Sequence, residues 1–273
     1  MIKEHAYAKI NLALDVVKKR TDGYHELQMV MIPIELHDTL TFEQSDVLSL
    51  DSSVSIENNA VLKAAELMKE KYNIKQGAQI KLEKHIPIGA GLGGGSADIA
   101  ATLRGLNRLW ELNLSLEDLE ELALSLGSDT LFCLYNKPAY VFGRGENLLY
   151  IDAPKIKDIY LITPQILCST GQIFKHHKIH YKKHKFEKLF MDYLNEKYDI
   201  FFKKSYNSLL KTALQCYPDL KDVYKKVRKI DKYAAMSGSG STFFMLTFEK
   251  KEDDLEEKII KSGLTYIKTK PKN

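Results

Sequence analysis

Apolar and polar residues alternate along most of the first 45 positions, a pattern that favours β-strands over helices. The run "EHAYAKINLALDV" alternates loosely and turns at Asp22–Gly23, and the runs "LQMVMIPIEL" and "DTLTFEQ" follow. Asp-Gly between two apolar runs is a strong signal for a tight hairpin turn. We therefore predict that the chain begins with an antiparallel meander of strands.

Helical spacing dominates the next part of the chain. Apolar residues recur three and four positions apart in "ENNAVLKAAELMKEKYN", which predicts a helix, and "AQIKLEKHIPI" returns to strand alternation until Pro87. A second helix is predicted from about Ser96 to Trp110. A third is predicted in "LSLEDLEELALSLGSD", where Ser115 is a suitable N-cap and Gly127 ends the helix.

The composition changes at Ala153–Pro154, and we place a domain boundary there, giving domains 1–153 and 154–273. After it, "DIYLITPQIL" predicts a new strand, followed by a lysine-rich loop, two or three helices and "YAAMSGSGSTFFMLTFE". Antiparallel strands mixed with helices favour an α+β fold over a doubly wound parallel sheet.

The overall composition is that of a soluble globular protein, since the 273 residues are 44% hydrophobic and 28% charged. No apolar run approaches the roughly 18 residues that a bilayer span needs, and the first residues lack the pattern of a secretory signal. The cysteines are few, odd in number and far apart, which argues against a disulfide framework. We expect a cytoplasmic protein without a membrane partner.

A basic stretch at 175–188 holds six lysines and four of the eight histidines. We interpret it as a solvated loop or helix face, with attraction of a polyphosphate ligand as the alternative. It lacks arginine and glycine, so we expect no nucleic-acid partner. Histidines elsewhere, at 5, 37 and 85, lack paired ligand spacing, and we assign no protein metal site.

Five glycines crowd positions 89–95, directly before a predicted helix. Either they make tight turns for packing, or a ligand must approach the backbone where a Cβ would interfere. A dinucleotide fingerprint would need an acidic residue after a second strand about 20 residues on, and a P-loop would need Lys-Ser/Thr after the last glycine. Neither is present. Strand, glycine loop and helix start together still make an anion site, and we predict phosphate binding there.

A second cluster, "SGSGS" at 237–241, precedes an apolar run. By itself it is compatible with a hairpin turn and with a ligand-binding loop, and the sequence leaves both open.

Three segments together resemble the motifs of the GHMP superfamily, which comprises galactokinase, homoserine kinase, mevalonate kinase and phosphomevalonate kinase. They are "AYAKINLALDV", "IPIGAGLGGGSADIAA" and "MSGSGSTFF". Five shorter segments resemble one branch of this superfamily, which phosphorylates a cytidine-diphosphate-linked methylerythritol on the non-mevalonate route to isoprenoid precursors. These segments are "RTDGYHELQ", "LNRLW", "LGSD", "FGRGE" and "STGQIFK". The resemblance is nearly continuous from about residue 5 to residue 150, and most of 180–230 matches nothing useful.

The resemblance implies a two-domain α+β fold with the active site in the inter-domain cleft. It implies that the γ-phosphoryl of ATP passes to a hydroxyl of a small-molecule substrate carrying a cytidine diphosphate, with Mg²⁺ arriving on ATP. Another GHMP kinase activity, on homoserine or mevalonate, is the alternative, although neither of those substrates offers a base to stack.

The resemblance implies two catalytic residues, Lys9 and Asp129. From the residues alone, Asp129 is a helix N-cap candidate. Lys9 lies in a run apolar enough to be a buried strand, where its ammonium needs an anionic partner, and Asp129 or the transferring phosphoryl would serve. A solvent-facing strand position is the alternative for Lys9. Asn11 shares a strand face with Lys9, so we expect it to bind a substrate hydroxyl.

The remaining site residues follow from the same resemblance. Tyr24 is expected to stack on the cytosine, His25 to hydrogen-bond to it, and Phe174 to lie on its opposite side. The expected ATP-binding residues are Asn59, Lys84, Pro87, Gly89, Gly91, Gly93, Gly94, Gly95 and Ser96.

Overall fold

The computed structural model describes residues 1–55, 59–180, 185–248 and 254–272. Its strands are β1 (Ile2–Lys19), β2 (His25–Ser45), β3 (Leu48–Ser52), β4 (Gly77–Glu83), β5 (Ala139–Gly143), β6 (Asn147–Tyr150), β7 (Ile156–Ile162), β8 (Ala235–Met236), β9 (Phe243–Phe248) and β10 (Ile267–Thr269). Its helices are α1 (Ala60–Lys71), α2 (Gly94–Leu109), α3 (Leu116–Leu126), α4 (Thr130–Tyr135), α5 (Thr170–His176), α6 (Lys185–Leu194), α7 (Tyr198–Lys204), α8 (Leu210–Cys216), α9 (Leu220–Ile230) and α10 (Leu255–Lys261).

The chain divides into two compact units. Unit 1 comprises residues 1–9, 36–87 and 93–136, and unit 2 comprises residues 10–35, 88–92 and 137–273. The chain therefore passes repeatedly from one unit to the other. The division into domains 1–153 and 154–273 stays a prediction.

The strands form two sheets. The first has the order β3-β4-β2-β5-β6, with β1 also paired to β2, and the second has the order β10-β7-β9-β8. In the first sheet β2 is antiparallel to β4 and β5, whereas β3 is parallel to β4. Because helices accompany largely antiparallel sheets, the α+β class is confirmed.

The core of unit 1 lies where α2 packs on the first sheet. A Cβ on Gly105, in the middle of α2, would collide with the Phe42 ring, so glycine there lets the helix approach strand β2 closely. Leu103 and Leu106 of the same helix are completely buried. This packing fixes the position of the α2 N-terminus, where the predicted phosphate site lies.

The core of unit 2 lies on the second sheet, where most residues of β7 and β9, on both faces of each strand, are buried. Aromatic side chains from two helices, Phe186 and Phe201, are fully buried in the same unit. Their burial anchors α6, which begins within the basic stretch, and α7. Residues 181–184 of that stretch lie outside the described residues.

Several predicted elements are confirmed. Ser115 is the N-cap of α3 and forms a reciprocal capping box with Asp118, and Gly127 is the C-cap. The predicted helix after residue 59 and the predicted strand after Pro154 are both present. Among the described residues, every helix is too short or too polar to span a bilayer.

Three boundaries differ from the prediction. The second and third predicted strands are one continuous strand, β2, and α2 begins at Gly94 rather than at Ser96. Strand β4 ends at Glu83, before Pro87. The physical reason is Asp38, whose carboxylate accepts the backbone N–H groups of residues 85 and 86 and so turns the chain out of the sheet.

Candidate active site

Lys9 and Asp129 form an ion pair within unit 1, with 3.2 Å between Nζ and Oδ2. The Lys9 side chain is 4% exposed, so the solvent-facing interpretation of Lys9 is wrong, and the anionic partner that burial demands is present. Asp129 is the N-cap residue of α4, as the residues alone indicated, but its side chain makes no capping hydrogen bond. Its catalytic role stays a prediction.

The N-terminus of α2 lies beside this pair. Gly93 is the N-cap, with a left-handed backbone (φ 73°), and a Cβ there would lie 2.9 Å from Cγ of Lys9. The N–H groups of the first helical residues have no acceptor within a helix, and a glycine cap has no side chain to satisfy them. Together with the helix dipole, they offer an anion site next to the Lys9 ammonium.

Gly94 and Gly95 differ in the space around them. A Cβ on Gly94 would lie 3.0 Å from Cγ2 of Ile86, whereas a Cβ on Gly95 would meet nothing within 4 Å. Gly95 is exposed. Oγ of Ser96 lies 3.5 Å from where a Cβ on Gly127 would be, and Gly127 is two residues before Asp129. The start of α2 therefore faces open space and lies close to the segment that carries Asp129.

The earlier glycines of the loop have a packing role in unit 2. A Cβ on Gly91 would collide with the carbonyl of Ser237, whose hydroxyl donates to the Gly91 carbonyl. Thr242 donates its N–H to the Ala90 carbonyl. Gly89 also has a positive φ of 64°. Glycine is required at 91 by this close backbone contact, so packing explains that part of the loop, and phosphate binding by the rest of the loop stays a prediction.

The cluster at 237–241 is a turn between β8 and β9, which pair with Met236 opposite Phe243. The hairpin-turn alternative describes its geometry. Asn11, 1% exposed, accepts the Gly238 N–H with its side-chain oxygen at 2.9 Å. That contact holds the turn to β1, and binding of a substrate hydroxyl by Asn11 stays a prediction.

Lys84 belongs to a buried cluster that the sequence did not reveal. Its ammonium lies 2.5 Å from Oδ2 of Asp38 and 2.6 Å from Oδ2 of Asp98, and all three side chains are nearly inaccessible. The pKa of Asp98 is raised to about 7, mainly because the carboxyl is buried. The negative charge of Asp38 also raises this pKa, whereas the Lys84 ammonium lowers it. The cluster ties the end of β4 to α2, and the contact of Lys84 with ATP stays a prediction.

The structure also shows the surroundings of Asn59 and Pro87, two residues expected to contact ATP. The Asn59 side chain caps α1 by accepting the Val61 N–H at 3.0 Å, and Asn59 is 8% exposed. Pro87 is partly exposed at the last residue before the chain enters unit 2. Their contacts with ATP stay predictions.

The residues expected at the cytosine lie in unit 2. The rings of His25 and Phe174 are 5.0 Å apart at an angle of 36°. Burial, and secondarily the Lys19 ammonium, lower the pKa of His25, so its imidazole is uncharged at neutral pH. An uncharged imidazole both donates and accepts a hydrogen bond. The Tyr24 ring lies 5.0 Å from the guanidinium carbon of Arg144, a residue to which the sequence assigned no role.

The chain matches known proteins along most of its length. The family described as GHMP kinases N terminal domain matches residues 59–137, and GHMP kinases C terminal matches residues 185–263. A 4-diphosphocytidyl-2-C-methyl-D-erythritol kinase from Bacillus subtilis is 39% identical over 261 residues, which cover 92% of this chain and 90% of that one. One from Listeria innocua is 41% identical over 88% of this chain and 86% of its own.

A solved structure agrees with these relatives. The crystal structure of a 4-(cytidine 5'-diphospho)-2C-methyl-D-erythritol kinase matches with a TM-score of 0.80 at 29% identity, covering 99% of this chain and 100% of the other. This match confirms the two-domain GHMP kinase fold. The chain belongs to the 4-diphosphocytidyl-2-C-methyl-D-erythritol kinase family of the GHMP kinases.

Proposed function

We propose that the chain transfers the γ-phosphoryl group of ATP to a hydroxyl of 4-diphosphocytidyl-2-C-methyl-D-erythritol. One observation carries the proposal: unit 1 brings together an open helix N-terminus, a buried ammonium and a carboxylate. Phosphoryl transfer requires mainly positioning and charge stabilisation, and these three groups supply both.

Each group has a distinct part in the transfer. The N–H groups of residues 94–96 hold phosphate oxygens of ATP, since Gly95 leaves room for them. Asp129 accepts the proton of the attacking hydroxyl, a task that needs a carboxylate within hydrogen-bond reach. Lys9 offsets the charge on the transferring phosphoryl and orients Asp129 through the ion pair.

Mg²⁺ accompanies ATP in this proposal. The ion prefers oxygen ligands and is usually held by one or two protein groups together with substrate phosphates. The Ser96 hydroxyl is an oxygen donor in the first turn of α2, beside the N–H groups proposed to hold the phosphates. Carried there by the phosphates, the metal would neutralise phosphate charge.

The cytidine part of the substrate is recognised in unit 2. Tyr24 stacks on the base, Phe174 covers its other side, and the uncharged His25 exchanges hydrogen bonds with its edge. The neighbouring His25 and Phe174 rings support this assignment, as does the identity to relatives named for a cytidyl substrate.

The glycine at 95 provides a test of phosphate binding. Gly95→Val places a side chain where no protein atom lies within 4 Å, in a helical position without positive φ, so folding should be unaffected. We expect KM for ATP to rise about 10- to 100-fold, the size of losing one or two hydrogen bonds to a charged group. Steady-state kinetics with ATP varied, together with the thermal midpoint, measures this.

Gly171→Val is the matched control, because Gly171 also opens a helix and a Cβ there also meets nothing within 4 Å. Its KM for ATP should equal that of wild type. An unchanged KM in Gly95→Val would remove residues 94–96 from the phosphate site.

Substrate identity is tested with a panel. ADP release is coupled to NADH oxidation with the cytidyl methylerythritol substrate, homoserine, mevalonate and galactose, each over a range of concentrations. We expect turnover with the cytidyl compound and a kcat/KM at least about 1,000-fold lower with the others, because they leave the base-binding groups unpaired. Preference for homoserine or mevalonate would replace the proposed substrate while keeping the kinase chemistry.

A further inference from the structure

Tyr24 is the ring proposed to stack on cytosine, yet it is 49% exposed and lies on the turn between β1 and β2. An exposed side chain on a turn is free to rotate, and immobilising it when a ligand binds reduces affinity. The guanidinium carbon of Arg144 lies 5.0 Å from the centre of this ring, within the range of a cation–π contact. A contact of this kind holds the ring before the ligand arrives.

Arg144 is fixed by the tight turn between β5 and β6. Gly143 and Gly145 have φ values of 79° and 126°, in the region that favours glycine. The Glu146 carboxylate accepts the Arg144 N–H, and a Cβ on Gly143 would collide with that carboxylate. These contacts restrain the backbone of the turn and so position the Cα of Arg144.

The turn that carries Tyr24 is fixed in a similar way. Oδ1 of Asp22 accepts the Tyr24 N–H at 3.0 Å, and the Arg20 N–H donates to the Tyr24 carbonyl at 2.8 Å. Gly23 between them has φ 87°. Backbone hydrogen bonds therefore restrain Tyr24 on both its N–H and its carbonyl side.

One guanidinium joins the two turns. Nε of Arg20 lies 3.0 Å from Oδ2 of Asp22, and its Nη1 lies 3.3 Å from Oε1 of Glu146 and 3.1 Å from Oε2 of Glu26. Single exposed ion pairs contribute little, but here two of the carboxylates, those of Asp22 and Glu146, also accept a backbone N–H of their turn. The network sets the distance between Arg144 and Tyr24.

We propose that Arg144 is a positioning residue for recognition of the cytidine diphosphate group and acts through the Tyr24 ring, with Arg20 holding the two turns together. This inference rests on the proposed function, because it assigns Tyr24 to the base. It adds two residues, in "RTDGYHELQ" and "FGRGE", to which the resemblance gave no role.

Isothermal titration calorimetry with cytidine 5'-diphosphate tests the proposal on wild type, Arg144→Gln, Tyr24→Ala and the double variant. Arg144→Gln should raise Kd about 2- to 30-fold, the range of a cation–π contact, and leave KM for ATP unchanged. In the Tyr24→Ala background the same change should alter Kd less than about 2-fold, because the ring through which it acts is gone. Arg228→Gln is the matched control, since that guanidinium also lies over a tyrosine, Tyr224, and its Kd should equal wild type.

The outcomes separate this inference from the proposed function. If wild type binds the diphosphate and Arg144→Gln binds it equally or more tightly, the positioning role is overturned and the proposed function stands. Additive losses in the double variant would mean that Arg144 contacts the ligand directly, which also overturns the inference. If wild type does not bind the diphosphate, the proposed base site fails and the inference fails with it.

Discussion

Replacing Asp129 by asparagine is expected to lower kcat about 10²- to 10⁴-fold, the usual contribution of general-base catalysis. Asparagine keeps the shape of aspartate, and the Asp129 side chain makes no capping hydrogen bond. The change leaves the buried Lys9 ammonium without its charged partner, so we expect a lower thermal midpoint. Because the shape of the site is kept, both KM values should stay near those of wild type at a temperature where the variant is folded. Rapid-quench measurement of a single turnover, with enzyme in excess of substrate, isolates the chemical step.

Asp254→Asn is the matched control for this variant. Asp254 also occupies a helix N-cap position without a capping hydrogen bond through its side chain, and it also pairs with a lysine, Lys258, at 2.7 Å. Its kcat should equal that of wild type. An Asp129→Asn enzyme with the wild-type single-turnover rate would exclude Asp129 as the base.

Lys9→Met is expected to lower kcat about 10²- to 10³-fold, comparable to removing one electrostatic group from a catalytic site. Methionine retains an apolar stem to pack against Gly93, so the main loss is the ammonium. The change also leaves Asp129 without its partner at 3.2 Å. Single-turnover rates of this variant and of the Lys9→Met/Asp129→Asn double variant measure the effect.

The double variant distinguishes a cooperating pair from two independent groups. Residues that act as a unit lose their contribution once, so the double variant should be less than about 10-fold slower than the slower single variant. A rate equal to the product of the two losses would show that Lys9 and Asp129 act independently. Thermal midpoints of all three variants control for unfolding.

The helices and strands were largely predictable because local rules decide them. The spacing of apolar residues located α1 and α3, and the cap at Ser115 set the exact start of α3. The early end of β4 was not predictable, because it depends on Asp38, which lies far away in sequence on β2. The start of α2 at Gly94 was missed because a glycine cap leaves no side-chain signal.

The site was predictable only in part. Lys9 and Asp129 are 120 positions apart, and motif resemblance alone related them before the fold showed their ion pair. Sequence did not separate Gly91, which packs against Ser237, from Gly95, which faces open space, because both occur in the same glycine run. The role of a glycine depends on what surrounds its Cα, and that is a tertiary property.

Phosphorus NMR of the complete reaction tests the central claim most directly. The protein is incubated with Mg²⁺, ATP and the cytidyl methylerythritol substrate, and products are followed over time. We predict one new phosphomonoester resonance that grows in equal amount with ADP, while the diphosphate resonances of the substrate persist. ADP and inorganic phosphate without a phosphomonoester, or no ADP at all, would contradict phosphoryl transfer to a substrate hydroxyl.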